Sequence, residues 1–314
     1  MIVTVTPNPS LDRTVAVHSL HRGEVHRSLD THLDPGGKGV NVARVLAAAE
    51  RPTIALLPCG GPEGARLGAL LQQERVSVAE VPVHGATRSN LTVVEADGTT
   101  TKVNEPGTAL TPDETRELVD HAAALAKGAD WLATCGSLPT GSPDHMHGDL
   151  VEAGRRAGAR TAVDTSGTAL ARAVDARPDL VKPNHDELAE LAGRPLPTLG
   201  SVLDVVHGLR RQGVGAVLVS LGADGALLVE DAGAWHAQGP ATTVLSTVGA
   251  GDALLAGFLG AGGAGPEALR AAVAHGTAAV GLPGSRMPGP NDPRIETVHV
   301  TAVDTTLTLT GATP

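Results

Sequence analysis

Short β-branched runs alternate with Ala- and Leu-rich stretches through most of the chain, and no other feature limits the fold as tightly. Ile2–Val5, Thr53–Leu57, Trp131–Thr134, Thr161–Asp164, Leu180–Val181 and Ala216–Ser220 read as buried strands. Helices are predicted near Gly39–Glu50, Glu63–Gln73, Pro112–Lys127, Pro143–Ala157, Asp186–Ala192 and Val202–Gln212. Consecutive parallel strands need a crossover, and a helix supplies it. The expected fold class is therefore α/β: a mostly parallel sheet with helices on both faces. A chain of 314 residues can bury a substantial core, in one large α/β domain or two domains.

Two regions interrupt the alternation. Thr14–Leu33 alternates without a clear helix, and Asn90–Asn104, "NLTVVEADGTTTKVN", reads as a hairpin turning at Asp97-Gly98. Two separate β segments inserted into an α/β body are expected to form a small sheet that covers a site. Pro283–Pro314 is rich in Pro, Gly and Thr, and its alternation at Thr297–Val303 suggests an edge strand.

Composition excludes several classes of function. A formal net charge of −10 argues against a general binder of nucleic acid or of an anionic membrane. Aromatic residues are Trp131, Trp235 and Phe258 with no Tyr, so stacking a base between rings is not the expected mode of recognition. Cys59 and Cys135 form neither a CxxC pair nor a disulfide framework, and Cys135 is expected as a small buried hydrophobe. The opening "MIVTVTPNPS" lacks the basic and apolar regions of a signal peptide, and no apolar run approaches the ~20 residues of a membrane helix. The expected location is cytoplasmic. His145 and His147 in "DHMH" lack further ligands nearby and are expected on the solvent side of a helix.

Chemistry is expected at small-residue turns that follow the strands: "TPNPSLD" (Thr6–Asp12), "PGGKGVN" (Pro35–Asn41), "GSLP" (Gly136–Pro139), "KPNHDE" (Lys182–Glu187), "SLGADG" (Ser220–Gly225) and "TVGAGD" (Thr247–Asp252). Ligands of open parallel sheets gather at the carboxyl ends of strands, so these turns suggest one extended cleft with two anion-binding ends. Familiar nucleotide motifs are absent. "GAGDAL" has Leu254 where a dinucleotide fingerprint needs a third small residue, and Gly39 replaces the Ser/Thr of a P-loop. In "STVGAGDALLAGF", apolar Leu254, Leu255, Phe258 and Leu259 place Gly249–Asp252 at a helix N-terminus. Bare amides there suit an anion, and a helix cap is the plainer reading of Asp252.

The order and spelling of these six turns resemble the ribokinase-like carbohydrate kinases, most closely the branch of 1-phosphofructokinases and tagatose-6-phosphate kinases. The match runs from Thr6 to about Gly281, with "GGKGVNVARVL" and "STVGAGD" its most specific parts. The resemblance implies a single domain over 1–314 with a three-layer α/β/α body and a small β lid from about 13–33 and 88–105. Lids of this family often dimerise, so a homodimer through the lid is expected. It implies transfer of the γ-phosphoryl of ATP, with Mg²⁺, to an already phosphorylated ketohexose, foremost fructose 1-phosphate. The rival substrates are tagatose 6-phosphate and fructose 6-phosphate. A nucleoside kinase is disfavoured by the scarcity of aromatics, and a catalytically dead sugar-phosphate regulator by the intact Asp252 and Glu187.

By the same resemblance Asp252 is the base that accepts the sugar hydroxyl proton, and the amides of Gly249, Ala250, Gly251 and Asp252 receive the migrating phosphoryl group. A carboxylate at a helix N-terminus is expected to have a depressed pKa. Asn184-x-x-Glu187 resembles the motif that organises Mg²⁺, with Glu187 toward the metal and Lys182 and Asn184 near the nucleotide phosphates. Asn184 and Glu187 equally fit a capping box. Ser220, Gly222, Gly225 and Thr247 are implied on the nucleotide side, although "SLGADG" also reads as a hairpin turn. On the sugar side stand Asp12, Gly36, Gly37, Lys38, Gly39 and Asn41. Arg88 is expected on the substrate phosphate with Asn90 beside it, and Arg27 and Lys102 as further cations. The chain differs from that branch at Ser89, at Pro58-Cys59-Gly60 and at Thr108, none of them a phosphoryl-transfer residue.

Overall fold

A computed structural model of the chain describes residues 1–310; the last four residues of the Pro283–Pro314 stretch lie outside the described residues. In chain order the first strands are β1 (Ile2–Val5), β2 (Ser10–Ala16), β3 (Asp30–Gly36), β4 (Thr53–Cys59), β5 (Ser77–Pro82), β6 (Arg88–Val94) and β7 (Thr100–Asn104). The rest are β8 (Trp131–Cys135), β9 (Arg160–Asp164), β10 (Leu180–Val181), β11 (Val217–Ser220), β12 (Ala226–Glu230), β13 (Gly233–Gln238) and β14 (His299–Ala302). The α-helices are α1 (Lys38–Ala48), α2 (Gly61–Gln73), α3 (Pro112–Ala126), α4 (Met146–Ala157), α5 (Gly167–Asp175), α6 (His185–Ala192), α7 (Leu199–Arg211), α8 (Ala250–Gly260) and α9 (Gly265–Val280).

Ten strands form one sheet in the order β14-β13-β12-β11-β10-β9-β8-β1-β4-β5. From β11 through β5 every neighbouring pair is parallel, while β12, β13 and β14 close one edge antiparallel. Burial explains the continuous apolar runs. In β8 alternate residues Trp131, Ala133 and Cys135 join the core under α1, α8 and α9, while Leu132 points to the opposite core with Leu118 of α3 and Leu150 of α4. A strand covered on both faces has no solvent side to make polar, and β1 and β8 are buried throughout. The three-layer α/β/α expectation is borne out. Among the described residues no helix is long and apolar enough to cross a membrane.

A second sheet, β3-β2-β6-β7, stands apart from the first. The expected hairpin is present: β6 and β7 are antiparallel, and Gly98 at φ +91° turns between them. The β2 segment pairs with β3 antiparallel and with β6 in parallel. These strands reach further toward the body than predicted, starting at Ser10 and ending at Gly36. Residues 17–29 between them form no strand. The reason is register: Ser10 pairs with both Gly36 and Arg88, so the sheet runs directly into the "GGKG" turn. The edge strand predicted at Thr297–Val303 is β14, antiparallel to β13.

Candidate active site

Lys38, first residue of α1, reaches across the carboxyl ends of the strands. Its Nζ donates to Asp164 Oδ1 at 2.8 Å, at the end of β9, and lies 3.5 Å from Glu187 Oε1 on α6. Lys182, just past β10, sits 3.2 Å from the second oxygen of the same Asp164. From α1, Asn41 Nδ2 donates to Asp252 Oδ2 at 2.8 Å, in the first turn of α8. A parallel bridge joins Asn184 to Ser220, which brings the "KPNHDE" and "SLGADG" turns side by side. The "GSLP" turn abuts Lys38, and Asn8 of the first turn donates to Ser137 Oγ at 3.3 Å. All six turns therefore meet at one edge of the sheet.

The charges at this edge determine one another. Asp164 is fully buried; burial opposes its ionisation, but Lys182 and Lys38 hold its carboxyl below the usual carboxylate range. Lys38 loses solvation too, yet Asp164, Glu187 and Asp252 together keep its ammonium charged well beyond an ordinary lysine. Asp252 is the exception, pushed up to about 6 by burial and then by the Asp164 charge, against the pull of Lys38, Asn41 and Lys182. The depressed pKa expected from its helix terminus is thus reversed. A helix end acts on the scale of a fraction of a kcal/mol, whereas burying a carboxylate near another carboxylate costs considerably more.

The α8 terminus has the geometry of an anion hole. Gly249 is its cap at φ +76°, and an added Cβ there would strike the Met287 methyl at 2.3 Å. The first bond of the helical turn is Ala253 N–H to Gly249 O at 2.8 Å, so the amides of Gly251 and Asp252 precede it. Gly251 packs closely on Lys182, whose Nζ lies 3.3 Å from the position a Cβ would take. Thr247 lies exposed immediately upstream.

The lid side gathers the sugar-facing candidates. Asp12 Oδ1 accepts from Ser10 Oγ at 2.7 Å and from Asn90 Nδ2 at 2.8 Å, and its carboxylate lies over Gly36, where a Cβ would meet it at 2.3 Å. Gly37 at φ +113° and Gly39 both pack on Thr6. Arg88 donates Nε and Nη2 to Asn8 O and Nη1 to Glu105 O. Three of its five N–H groups are thereby anchored and two remain. Lys102 pairs with Thr92, on the Asn90 face of β6 and one position further out. Arg27 is exposed on the loop between β2 and β3 and is not brought to the Lys38–Asp164 cluster.

On the opposite side, Asn184 and Glu187 form a complete capping box, Glu187 N–H to Asn184 Oδ1 at 2.7 Å and Asn184 N–H to Glu187 Oε2 at 2.8 Å. The cap uses one carboxylate oxygen and leaves Oε1 facing Lys38, so the two readings coexist. Gly225 is required by packing, because a Cβ would fall 2.0 Å from Ala237 O. Gly222 at φ +62° faces open space.

Three residues escaped sequence reasoning. Asp164 ends "TAVD" and precedes Thr165-Ser166-Gly167, the same strand-then-small-residue pattern as the turns that were recognised. His147 was expected in solvent but is fully buried: Nδ1 accepts from Thr134 Oγ1 at 2.8 Å and Nε2 donates to Gly136 O at 3.1 Å. Helix α4 begins only at Met146, which turns His147 inward and leaves His145 outside. Arg44, one turn beyond Asn41, is buried as well.

A family model described as "pfkB family carbohydrate kinase" matches residues 8–292. The chain is 41% identical over 302 residues to a 1-phosphofructokinase of Rhodobacter capsulatus, covering 92% of this chain and 93% of that one. It is 38% identical over 304 residues to a 1-phosphofructokinase of Haloferax volcanii, covering 96% and 97%. Among solved structures it superposes on phosphofructokinase-2 from Escherichia coli in complex with potassium, with a TM-score of 0.88 and 36% identity over 93% of this chain and 96% of that one. The turns, the order of strands behind them and the matched span point the same way: this chain belongs to the pfkB family of carbohydrate kinases.

Proposed function

We propose that the protein phosphorylates fructose 1-phosphate with ATP, giving fructose 1,6-bisphosphate and ADP. The observation that carries the reading is buried Asp252, ringed by Lys38, Lys182, Asp164 and Asn41 at a helix N-terminus whose amides precede the first helical bond. Relatives 41% and 38% identical to this chain are 1-phosphofructokinases. The sugar hydroxyl approaches Asp252, which takes its proton as the hydroxyl oxygen attacks the γ-phosphorus. The bond from γ-phosphorus to the β–γ bridging oxygen breaks, and that oxygen leaves with ADP. A carboxylate raised to about 6 is ionised at neutral pH and still more basic than a free aspartate. Phosphoryl transfer passes through a loose transition state, so the lysine charges and the amides of Gly249–Asp252 contribute through position and electrostatics.

Asp12, Asn90 and Asn41 bind the sugar hydroxyls, and Arg88 uses its two free N–H groups on the substrate phosphate. Lys182, Asn184, Ser220, Gly222 and Thr247 face the nucleotide. The fit to Mg²⁺ is sparse. No cluster of three His, Cys, Asp or Glu side chains exists among the described residues. Glu187 Oε1 is left over from the cap, however, and the buried Asp164 Oδ2 receives no aligned hydrogen bond. Such a donor set suits a cation that keeps most of its waters, and Mg²⁺ bound there would neutralise phosphate charge. The lid serves as the surface of a homodimer.

A second reading has a specific basis. Phosphofructokinase-2 from Escherichia coli has been solved in complex with fructose-6-phosphate, and it is 34% identical to this chain with a TM-score of 0.86. A coupled ADP assay over fructose 1-phosphate, fructose 6-phosphate, tagatose 6-phosphate and the free sugars separates the two. The highest kcat/KM is expected with fructose 1-phosphate. A preference for an unphosphorylated sugar would remove the phosphosugar reading altogether.

A further inference from the structure

Arg44 is a charged side chain with only 7% of its surface exposed, and its partners explain why burial is tolerated. Nε and Nη2 make a two-pronged pair with Glu74, at 2.6 and 2.9 Å, where Glu74 caps the end of α2. The remaining nitrogen, Nη1, is shared among three oxygens: Pro35 O at 3.2 Å, Ser285 O at 3.4 Å and Asn41 Oδ1 at 3.5 Å. Each belongs to a different part of the site. Pro35 is the next-to-last residue of the lid strand β3, Asn41 holds Asp252, and Ser285 lies in the segment whose Met287 rests on Gly249. Ser285 Oγ also donates to Asp34 Oδ2 at 3.1 Å, which ties that segment back to the lid.

The Asn41 amide has two orientations, and Arg44 selects one. With Oδ1 toward the guanidinium, the NH₂ group faces Asp252 and donates to it. Flipped, the NH₂ would face a cation and the carbonyl oxygen would face a carboxylate, two repulsions in a buried site. We propose that the Glu74–Arg44 pair is a positioning device for the phosphoryl-transfer site, fixing the Asn41 amide so that it donates to Asp252 and clamping the Ser285 segment against the end of β3. Arg44 touches no reactant; it acts through Asn41. The charged groups that face Asp252 are Asp164 from β9, Lys38 from α1 and Lys182 after β10, none of which Arg44 contacts. Its hydrogen-bonded route to the Asp252 carboxylate runs through Asn41.

This inference rests on Asp252 being the base, and the test separates the two. The Asp252 carboxyl is titrated by ¹³C NMR in protein labelled at the aspartate carboxyls, its signal assigned with Asp252→Asn, alongside kcat and KM with fructose 1-phosphate. Arg44→Lys keeps a charge for Glu74 but loses the planar fork, and Glu74→Asp, at a half-exposed helix end, keeps the charge, shortens the reach to Arg44 and keeps the fold if Arg44→Lys does not. Both variants should raise the Asp252 titration midpoint by about half a unit and lower kcat about tenfold, with KM for ATP within about twofold. In an Asn41→Ala background the same substitutions should leave the midpoint where Asn41→Ala alone puts it. An unshifted midpoint in the folded variants, or a shift that persists without Asn41, overturns the proposal. A shifted midpoint with kcat unchanged supports the positioning and overturns Asp252 as the base.

Discussion

Ionised Asp252 stands in the folded protein at a cost that Lys38, Lys182 and Asn41 offset only in part, and that cost can be measured. With its pKa raised to about 6, the folded state binds more protons than the unfolded chain between about pH 4 and 6. Stability from this group accordingly falls as pH rises through that window, and the loss is complete above it. Asp252→Asn keeps the size and an oxygen that can accept from Asn41 while removing the charge. It should lower kcat by roughly 10²-fold or more, yet raise Tm at pH 7.5, with the gain in Tm vanishing toward pH 4. Near-normal kcat would remove Asp252 as the base. Arg88 is tested by a smaller change. Lys cannot copy its fork, so Arg88→Lys should raise KM for the sugar phosphate about 10- to 150-fold, a loss of roughly 1.5–3 kcal/mol, and leave KM for ATP unchanged. If Arg88→Lys left both KM values unchanged, Arg88 would be detached from the phosphate. Asp252, Lys38, Asn41, Lys182 and Glu187 were legible because each sits in a glycine- or proline-marked turn. The direction of the Asp252 shift was not, since it depends first on burial and then on Asp164 arriving from another strand.

Helices and strands were readable where one physical signal dominated. Continuous apolar runs marked β1, β8 and β10, and the Asp97-Gly98 turn marked the β6–β7 hairpin. Helix α9 was missed because its entry, "AGGAGPEAL", carries a glycine cluster that resembles a loop, although Pro266 in the first turn is a start signal. The strands β12 and β13 were hidden behind glycine-bounded turns. Burial of a polar helical residue is harder still to foresee, as His147 shows: nothing in "DHMHGDL" tells which histidine faces the sheet. Desolvation, opposed by the hydrogen bond to Gly136 O, lowers the His147 pKa to about 4, so it stays neutral in the fold and pins the turn beside Lys38. An unfolded histidine takes up a proton near pH 6.5, so this group's contribution to stability is full above that pH and is lost as pH falls toward 4. His147→Ala should cost about 2–4 kcal/mol at pH 7.5, from the cavity and two stranded partners, and the gap to wild type should narrow as pH falls from 6.5 to 4. A gap independent of pH in thermal or urea unfolding would contradict the neutral, doubly bonded ring.

At the scale of the molecule, the small sheet has one face turned to the site and another whose apolar residues on β6 and β7 are partly exposed. Register assigns the faces. Asp12 pairs with Asn90, and Asn90 with Asn104, on the site side; Val15 pairs with Val93, and Leu91 with Val103, on the other. That second face carries Leu91 at 37% and Val103 at 59% exposure, an apolar surface on a sheet with two open edges. Val17, where the chain leaves β2, is buried at 4% and its amide donates to Val94 O. Exposed Arg13, opposite Leu91, interrupts the face, and the apolar surface is made by Val15, Leu91, Val93 and Val103. Pairing with a second copy through this face removes it from water and covers the strand edges without disturbing Asp12 or Asn90, which point away. A homodimer through the lid is the expected state, and sedimentation velocity at micromolar concentration checks it. Val103→Lys together with Leu91→Lys should give a folded monomer, because two ammonium groups on each side of a twofold interface face their own copies. A wild-type monomer, or a variant that remains dimeric, would assign the interface elsewhere.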